Sequence, residues 1–340
     1  MTTASRSGTV RALVYDGTRG LVVAEQPEPR AGPGAAVVRI DEVGICGTDL
    51  KIVSGTLAVT PPLVLGHELI GHVVETGPGV DMPAGQWVMV HPATWCGRCT
   101  PCRAGRTNLC VYSGRMGMDI PGGAVDRLLV PVDRLYPLPE SLPGESAVLL
   151  QVLGTCVHAQ SLVDVFPGQR AAVVGLGVSG LMHVQLLRAR GLEVVAVGRS
   201  PAKLELARRM GAADAISTEE ARRRIAAGDQ GFDVVVEAVG VAESLAVAGD
   251  ITGLGGTLVV FGIHGGETPM RLESFYVKEV TVIHARGATA LDYQRAIELV
   301  APRLLDLSAL RTVRYPLADA VSAFDAAYAT SEAVKFVLEP

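Results

Sequence analysis

The stretch "QRAAVVGLGVSGLMHVQLLRARG", residues 169–191, leaves few folds open. It begins as a short run of small and β-branched apolar residues, which reads as a strand buried on both faces. It ends as an apolar pattern of helical spacing closed by Gly191. Between the two, "GLGVSG" spaces Gly175, Gly177 and Gly180 as G-x-G-x-x-G. Alone that pattern is weak and fits any glycine-rich βα turn. Set between a strand and a helix it is the fingerprint of a dinucleotide-binding βαβ unit. Gly175 then permits the tight turn, Gly177 lets backbone approach a pyrophosphate, and Gly180 lets helix pack on strand. Val178 opens the helix whose N-terminus attracts the anion. Further buried strands follow in "LEVVAVG" (192–198), "GFDVVVEAVG" (231–240) and "GGTLVVFG" (255–262), with helices between them. One of these is "SPAKLELARRMGA" (200–212), with Ser200 as N-cap and Pro201 in the first turn. The alternation predicts a parallel, doubly wound α/β sheet. Gly262 and Ile263 close a strand beside the expected nicotinamide, so backbone contact with the cofactor is expected there.

The end of the second strand bears on which dinucleotide fits. An NAD site usually has Asp or Glu there, accepting from the ribose hydroxyls. Here Gly198 holds that place and Arg199 follows, with Ser200 and Lys203 close behind. Nothing repels a 2′-phosphate, and three donors are at hand to bind one. The bland alternative is a helix cap and two solvated cations. NADP(H) is the expected cofactor.

The first ~150 residues have another texture. "TVRALVYD" (9–16), "AAVVRIDEVGI" (35–45), "GHVVETG" (71–77), "GQWVMVHP" (85–92) and "VDRLLVP" (125–131) are β-rich and bounded by Gly and Pro. After about residue 306 the pattern changes again, to a helix at 317–329 and a final strand, "AVKFVLEP" (333–340), able to return to the first domain. The chain of 340 residues is 49% hydrophobic and 19% charged, so a large core is within reach and long disorder is not expected. A net charge of −5 without charge blocks argues against nucleic-acid or anionic-membrane surfaces. "MTTASRSGTV" lacks the apolar stretch of a signal peptide, and no run is long enough to span a bilayer, so a cytoplasmic address is expected.

Four of the six cysteines crowd into "CGRCTPCRAGRTNLC", as Cys96, Cys99, Cys102 and Cys110. In a reducing compartment a disulfide pair is disfavoured. Two-residue gaps let thiolates converge on a tetrahedral ion, and the loop has too little apolar content to fold without one. A ferredoxin-type run would place its fourth cysteine after three residues and before proline, whereas here the gap is seven and Val111 follows. The spacing favours zinc. Four thiolates leave no open position, so this zinc is expected to be structural, with chemistry elsewhere.

Cys46, in "GICGTD", and His67-Glu68, in "GHELIGHVVETGPGV", offer a thiolate, an imidazole and a carboxylate, a set that suits zinc and leaves a position open. With these motifs, the four-cysteine loop, "GLGVSG" and "AVKFVLEP", the chain resembles, over essentially its whole length, the zinc-dependent alcohol/polyol dehydrogenases of the medium-chain dehydrogenase/reductase family. The resemblance implies a GroES-like β-rich catalytic domain from residues 1–157 and 307–340, with a structural zinc lobe at about 93–112. A Rossmann domain, 158–306, would be inserted. It also implies Cys46 and His67 as catalytic zinc ligands, Glu68 as a ligand or exchanging neighbour, Thr48 as the hydroxyl that passes the substrate proton, and Asp49 in support of His67. Lys335 matches a position near the cofactor phosphates.

Two departures stand out. Gln151 occupies the remaining metal-ligand position, where relatives hold Cys, Asp or Glu; it either completes the zinc shell or lines the pocket. Lys51 stands where several relatives place a proton-relaying histidine. Cys156 reads as a core thiol, and His158, at the start of the helix into the Rossmann domain, as a packed residue. The implied activity is hydride transfer between NADP(H) and a secondary alcohol or polyol/ketone pair, a sugar, cyclitol or amino-cyclitol among them, by a homodimer or homotetramer. The alternatives are a zinc-independent enone or quinone reductase of the same fold, or a non-enzymatic NADP-binding regulator.

Overall fold

The computed structural model describes residues 8–18, 20–332 and 334–340. They divide into two compact units. One holds the described residues up to Gln151 together with Thr312–Thr330 and Lys335–Pro340; the other holds Val152–Arg311 and the described residues of 331–334. The division falls inside the helix Leu150–Ser161, so His158 sits near that helix's C-terminal end and not at its start. The residue is packed, as its apolar neighbours suggested: its Nδ1 lies 2.9 Å from Asp292 Oδ2, and both residues are buried.

In the first unit, seven strands form one sheet in the order Arg311–Pro316, Val334–Glu339, Ala35–Gly44, Glu68–Thr76, Trp87–Val90, Leu135–Pro137, with Arg127–Pro131 also pairing to Ala35–Gly44. A smaller sheet joins Leu21–Pro27, Thr9–Tyr15 and Leu63–Val64. Antiparallel pairing brings distant residues together: Val337 faces Gly44, and Gly44 faces Glu68. The closing strand thus completes the first unit. Leu21–Pro27 and Arg311–Pro316 are strands that the sequence does not announce. Both are largely exposed or half-buried, and lack the apolar alternation that marks a half-buried strand.

The second unit is a six-stranded sheet in the order Asp214–Ser217, Glu193–Gly198, Arg170–Val174, Phe232–Glu237, Thr252–Val260, Thr281–His284, parallel throughout. Strand order reverses between Arg170–Val174 and Phe232–Glu237, which is where open α/β sheets form a ligand crevice at their carboxyl ends. Its core is aliphatic: Val174, Val197, Val235, Leu258 and Ile251 are almost wholly buried. Strands covered on both faces have no polar side to display, which is why they read as unbroken apolar runs.

Candidate active site

Cys46 is the N-cap residue of a short helix, Gly47–Val53. Asp49, in the first turn of that helix, accepts the Cys46 backbone N–H at 2.9 Å. Its other carboxyl oxygen lies 3.5 Å from His67 Nδ1. One buried carboxylate therefore fixes both the cysteine backbone and the imidazole, and leaves Nε2 as the nitrogen free to ligate. Ligating atoms of Cys46, His67 and Glu68 lie within 4.8 Å of one another. Burial works against a charged imidazole at position 67, yet Asp49 and Cys46 outweigh it and raise His67 well above the usual histidine value. The field that holds a proton there suits a divalent cation equally well. Thr48 and Lys51 lie on the same helix, both half-buried. Gln151 is buried in the first turn of Leu150–Ser161.

Lys335, expected near the cofactor phosphates, has partners inside the first unit: its Nζ ion-pairs with Glu68 and donates to the Ile45 carbonyl at 3.1 Å, with the side chain 5% exposed. Glu68 thus has a buried cation on one side and Cys46 with His67 on the other.

The four lobe cysteines also converge, their sulfurs all within 4.8 Å of one another, and all are free thiols. Cys99 Sγ and Cys110 Sγ are 3.9 Å apart. Tetrahedral zinc with Zn–S bonds of ~2.3 Å sets its sulfurs about 3.8 Å apart, so the residues fit the ion. Backbone N–H groups of Cys96, Cys99 and Tyr112 point at these sulfurs at 3.3–3.4 Å. Such donors favour thiolate: Cys96 is lowered to about 6, chiefly by the backbone of Arg98 and Cys99.

In the second unit, Gly175 has φ +99°, and a Cβ there would collide with Val239. A Cβ on Gly180 would collide with the Gly175 carbonyl, whereas Gly177, at the N-cap of Val178–Ala189, faces open space. The turn is closed on its protein side and open on the side where a pyrophosphate would lie. Gly198 ends its strand buried, and Ser200 is the N-cap residue of Pro201–Arg209 but makes no side-chain capping bond. No carboxylate pairs with Arg199 or Lys203 among the described residues. Burial, and then the Arg199 charge, lower Lys203. Gly262 and Ile263 follow the strand Thr252–Val260, with Ile263 64% exposed.

Sequence reading did not single out Glu237, and it set His264 aside as showing no metal spacing. Glu237 is wholly buried at the end of its strand, and His264 faces it at 3.1 Å. The acid ending an apolar strand in "FDVVVE" was the available signal.

Comparisons with known proteins agree with this geometry. Residues 32–140 match the alcohol dehydrogenase GroES-like domain, and residues 178–302 match the zinc-binding dehydrogenase family. A 2-dehydro-3-deoxy-L-galactonate 5-dehydrogenase of Pseudoalteromonas atlantica is 33% identical over 303 residues, covering 86% of this chain and 88% of that protein. The chain belongs to the zinc-binding alcohol dehydrogenases of the medium-chain dehydrogenase/reductase family. Among other relatives of this family, a sorbitol dehydrogenase of Bacillus subtilis is 29% identical, with 97% of each chain covered. The solved structure of a zinc-binding dehydrogenase from Sinorhizobium meliloti, bound to NADP, superposes with a TM-score of 0.91 at 30% identity, covering 98% of this chain and 100% of that one. The GroES-like and Rossmann expectations stand, and the chain is an oxidoreductase of the alcohol dehydrogenase type. Among the described residues no helix is long and apolar enough to cross a membrane.

Proposed function

We propose that the protein carries two zinc ions and transfers hydride between NADP(H) and a secondary hydroxyl of a polyol or sugar-acid chain, or the matching ketone. The metal reading rests on the Cys46–His67–Glu68 cluster. With Gln151 or water as fourth partner it is an open site, while the four-thiol lobe is a closed one. When bound, zinc supplies Lewis acidity toward the substrate oxygen, and the nicotinamide supplies the hydride exchange. The chain's own part is to orient and to move a proton. Asp49 holds the His67 ring and the Cys46 backbone in place, and the Thr48 hydroxyl takes the proton that the alcohol gives up. Lys51, three residues further along the same helix, is a candidate relay to solvent. Both metal clusters speak against the zinc-independent reductase reading. The substrate class follows the names of the relatives, which act on galactonate derivatives and sorbitol. A homo-oligomer in the cytoplasm completes the proposal.

The preference for NADP(H) is carried by one observation: among the described residues Arg199 and Lys203 have no acidic partner, and the Ser200 hydroxyl makes no capping bond. Three idle donors beside Gly198 form a phosphate site rather than a helix cap. The experiment is metal analysis plus steady-state kinetics on a panel of polyols, sugar acids and simple secondary alcohols, read with both cofactors. Expected are two zinc per chain and a higher kcat/KM with NADP(H). In Arg199→Ala the advantage shrinks by about tenfold or more, the scale of a charge-assisted hydrogen bond. Equal or better use of NAD(H) by the wild-type protein overturns the preference; a fully active preparation with one zinc overturns the metal assignment.

A further inference from the structure

The carboxylate of Glu237 is the most heavily engaged polar group in the second unit. It is 0% exposed, and no lysine or arginine pairs with it among the described residues. Oε1 accepts three hydrogen bonds: from Val239 N and Gly240 N, each at 2.8 Å, and from Ser244 Oγ at 2.6 Å. Oε2 faces His264 Nε2 at 3.1 Å. The Glu237 carbonyl accepts Phe261 N and Gly262 N at 2.9 and 3.0 Å. This one residue thus ties together two loops, one after each of two neighbouring strands.

Those loops meet backbone to backbone. Gly240 has φ +86°, and a Cβ there would stand 2.6 Å from the Ile263 carbonyl oxygen. A Cβ on Gly262 would collide with Gly240 N and stand 2.6 Å from Glu237 Oε2. The crossing admits only glycine on both sides. It lies at the carboxyl end of the sheet, one strand beyond the point where strand order reverses, and Val239 fills the space in front of Gly175. The fingerprint turn and the Gly262–Ile263 edge are therefore referred to the same buried anchor.

A carboxylate can only accept, so His264 Nε2 carries the hydrogen. Its other nitrogen, Nδ1, is buried with no hydrogen-bond partner among the described residues. A buried ion without a strong cation is costly, and such groups persist where all their hydrogen bonds are made. A half-satisfied imidazole on a loop at the ligand crevice is not explained by packing alone.

We infer that Glu237 and His264 form a positioning pair for the nicotinamide end of the cofactor. The pair holds the segment 261–264 at a fixed distance from the fingerprint turn, so that the exposed Gly262–Ile263 backbone stands where the nicotinamide binds. It rests on the reading of the second unit as a dinucleotide site. Neither residue touches the reacting atoms; they act through the loop.

The test uses the zinc-replete full chain and equilibrium titration with two ligands. One is whichever of NADP+ and NAD+ binds the wild-type protein more tightly. The other is the same molecule without nicotinamide, 2′-phospho-ADP-ribose or ADP-ribose. In His264→Ala, Kd for the dinucleotide rises about tenfold, the scale of one charge-assisted hydrogen bond, while Kd for the fragment changes less than about twofold. His264→Gln, whose amide N–H can still donate to Glu237, restores most of the difference. In turnover the cofactor KM rises more than kcat falls. Should His264→Ala fail to fold, Glu237→Gln serves, with the same selective loss expected. Parallel weakening of both ligands, or no change in either, overturns the inference. Wild-type protein that binds neither dinucleotide overturns the cofactor reading itself, a separate and recognisable failure.

Discussion

Lys335 changes the chemistry of the metal cluster more than any other single residue outside it. Its ammonium and the Glu68 carboxylate are both nearly inaccessible to water. Removing one partner of such a pair leaves an uncompensated buried charge, at a cost of about 3–5 kcal/mol. Lys335→Met is therefore expected to lower the melting temperature of chelator-treated protein by several degrees. Zinc bound at the proposed site would give Glu68 another cation, so the loss is expected to be smaller in replete protein. Scanning calorimetry with and without metal checks this; equal losses in both states would mean that Glu68 does not face the ion. The structure brings Cys46, His67 and Glu68 together. Their convergence was legible chiefly through the family resemblance, since a cysteine and a histidine separated by twenty residues say little by spacing alone. The Lys335 contact was not, because it exists only through strand register: Val337 opposite Gly44, and Gly44 opposite Glu68. Glu237 was hidden for a related reason, since its partners come from two segments, 239–244 and 261–264, that meet only in the folded sheet.

Among the elements, the lobe around residues 96–110 is the one that most needs the proposed structural zinc. Its only regular structure is one turn of helix at Thr100–Arg103 and a 3-10 turn at Thr107–Leu109. Cys102 and Cys110 are buried, but almost nothing apolar is buried with them in the loop itself. Burial raises Cys102 to about 12, so without a metal this thiol stays protonated. Cys102→Ser is expected to release the lobe zinc, halving metal content, and to make the segment susceptible to limited proteolysis between Arg98 and Arg106. Full metal content with unchanged proteolysis would refute a structural role. The buried parallel strands were read correctly because their apolar runs leave no other placement. Leu21–Pro27 and Arg311–Pro316 were missed because a strand of largely exposed or half-buried residues looks like loop. The helix Leu150–Ser161 was placed too late, as beginning at His158, because its largely apolar first turns carry no capping signal that would mark the start.

Over the whole molecule, acid acts on both units at once. Burial, with Arg134 adding to it, lowers His91 to about 4 in the first unit, and burial lowers His183 to about 3 in the second. Each is neutral when folded and binds a proton near pH 6.5 when unfolded. Each contribution is complete above that pH and is lost as pH falls toward the folded value, with a slope of up to about 1.4 kcal/mol per pH unit per residue. Denaturation of wild-type protein is expected to ease steadily from pH 7 to pH 4.5. His183→Leu is expected to show a shallower pH dependence, whatever its absolute stability; an unchanged slope would refute the assignment. The two-unit architecture was readable from the change of texture along the chain, but the division inside a continuous helix was not, since no turn marks it. The return of the last strand to the first unit also has a consequence for biogenesis. A ribosome makes Cys46, His67 and Glu68 early, then the whole second unit, and only afterwards Lys335. Throughout that interval the nascent first unit lacks both its closing strand and the cation that neutralises Glu68. That unit cannot finish folding before this strand is made, and a chain cut short ahead of it leaves quality control with an acid stranded in a core.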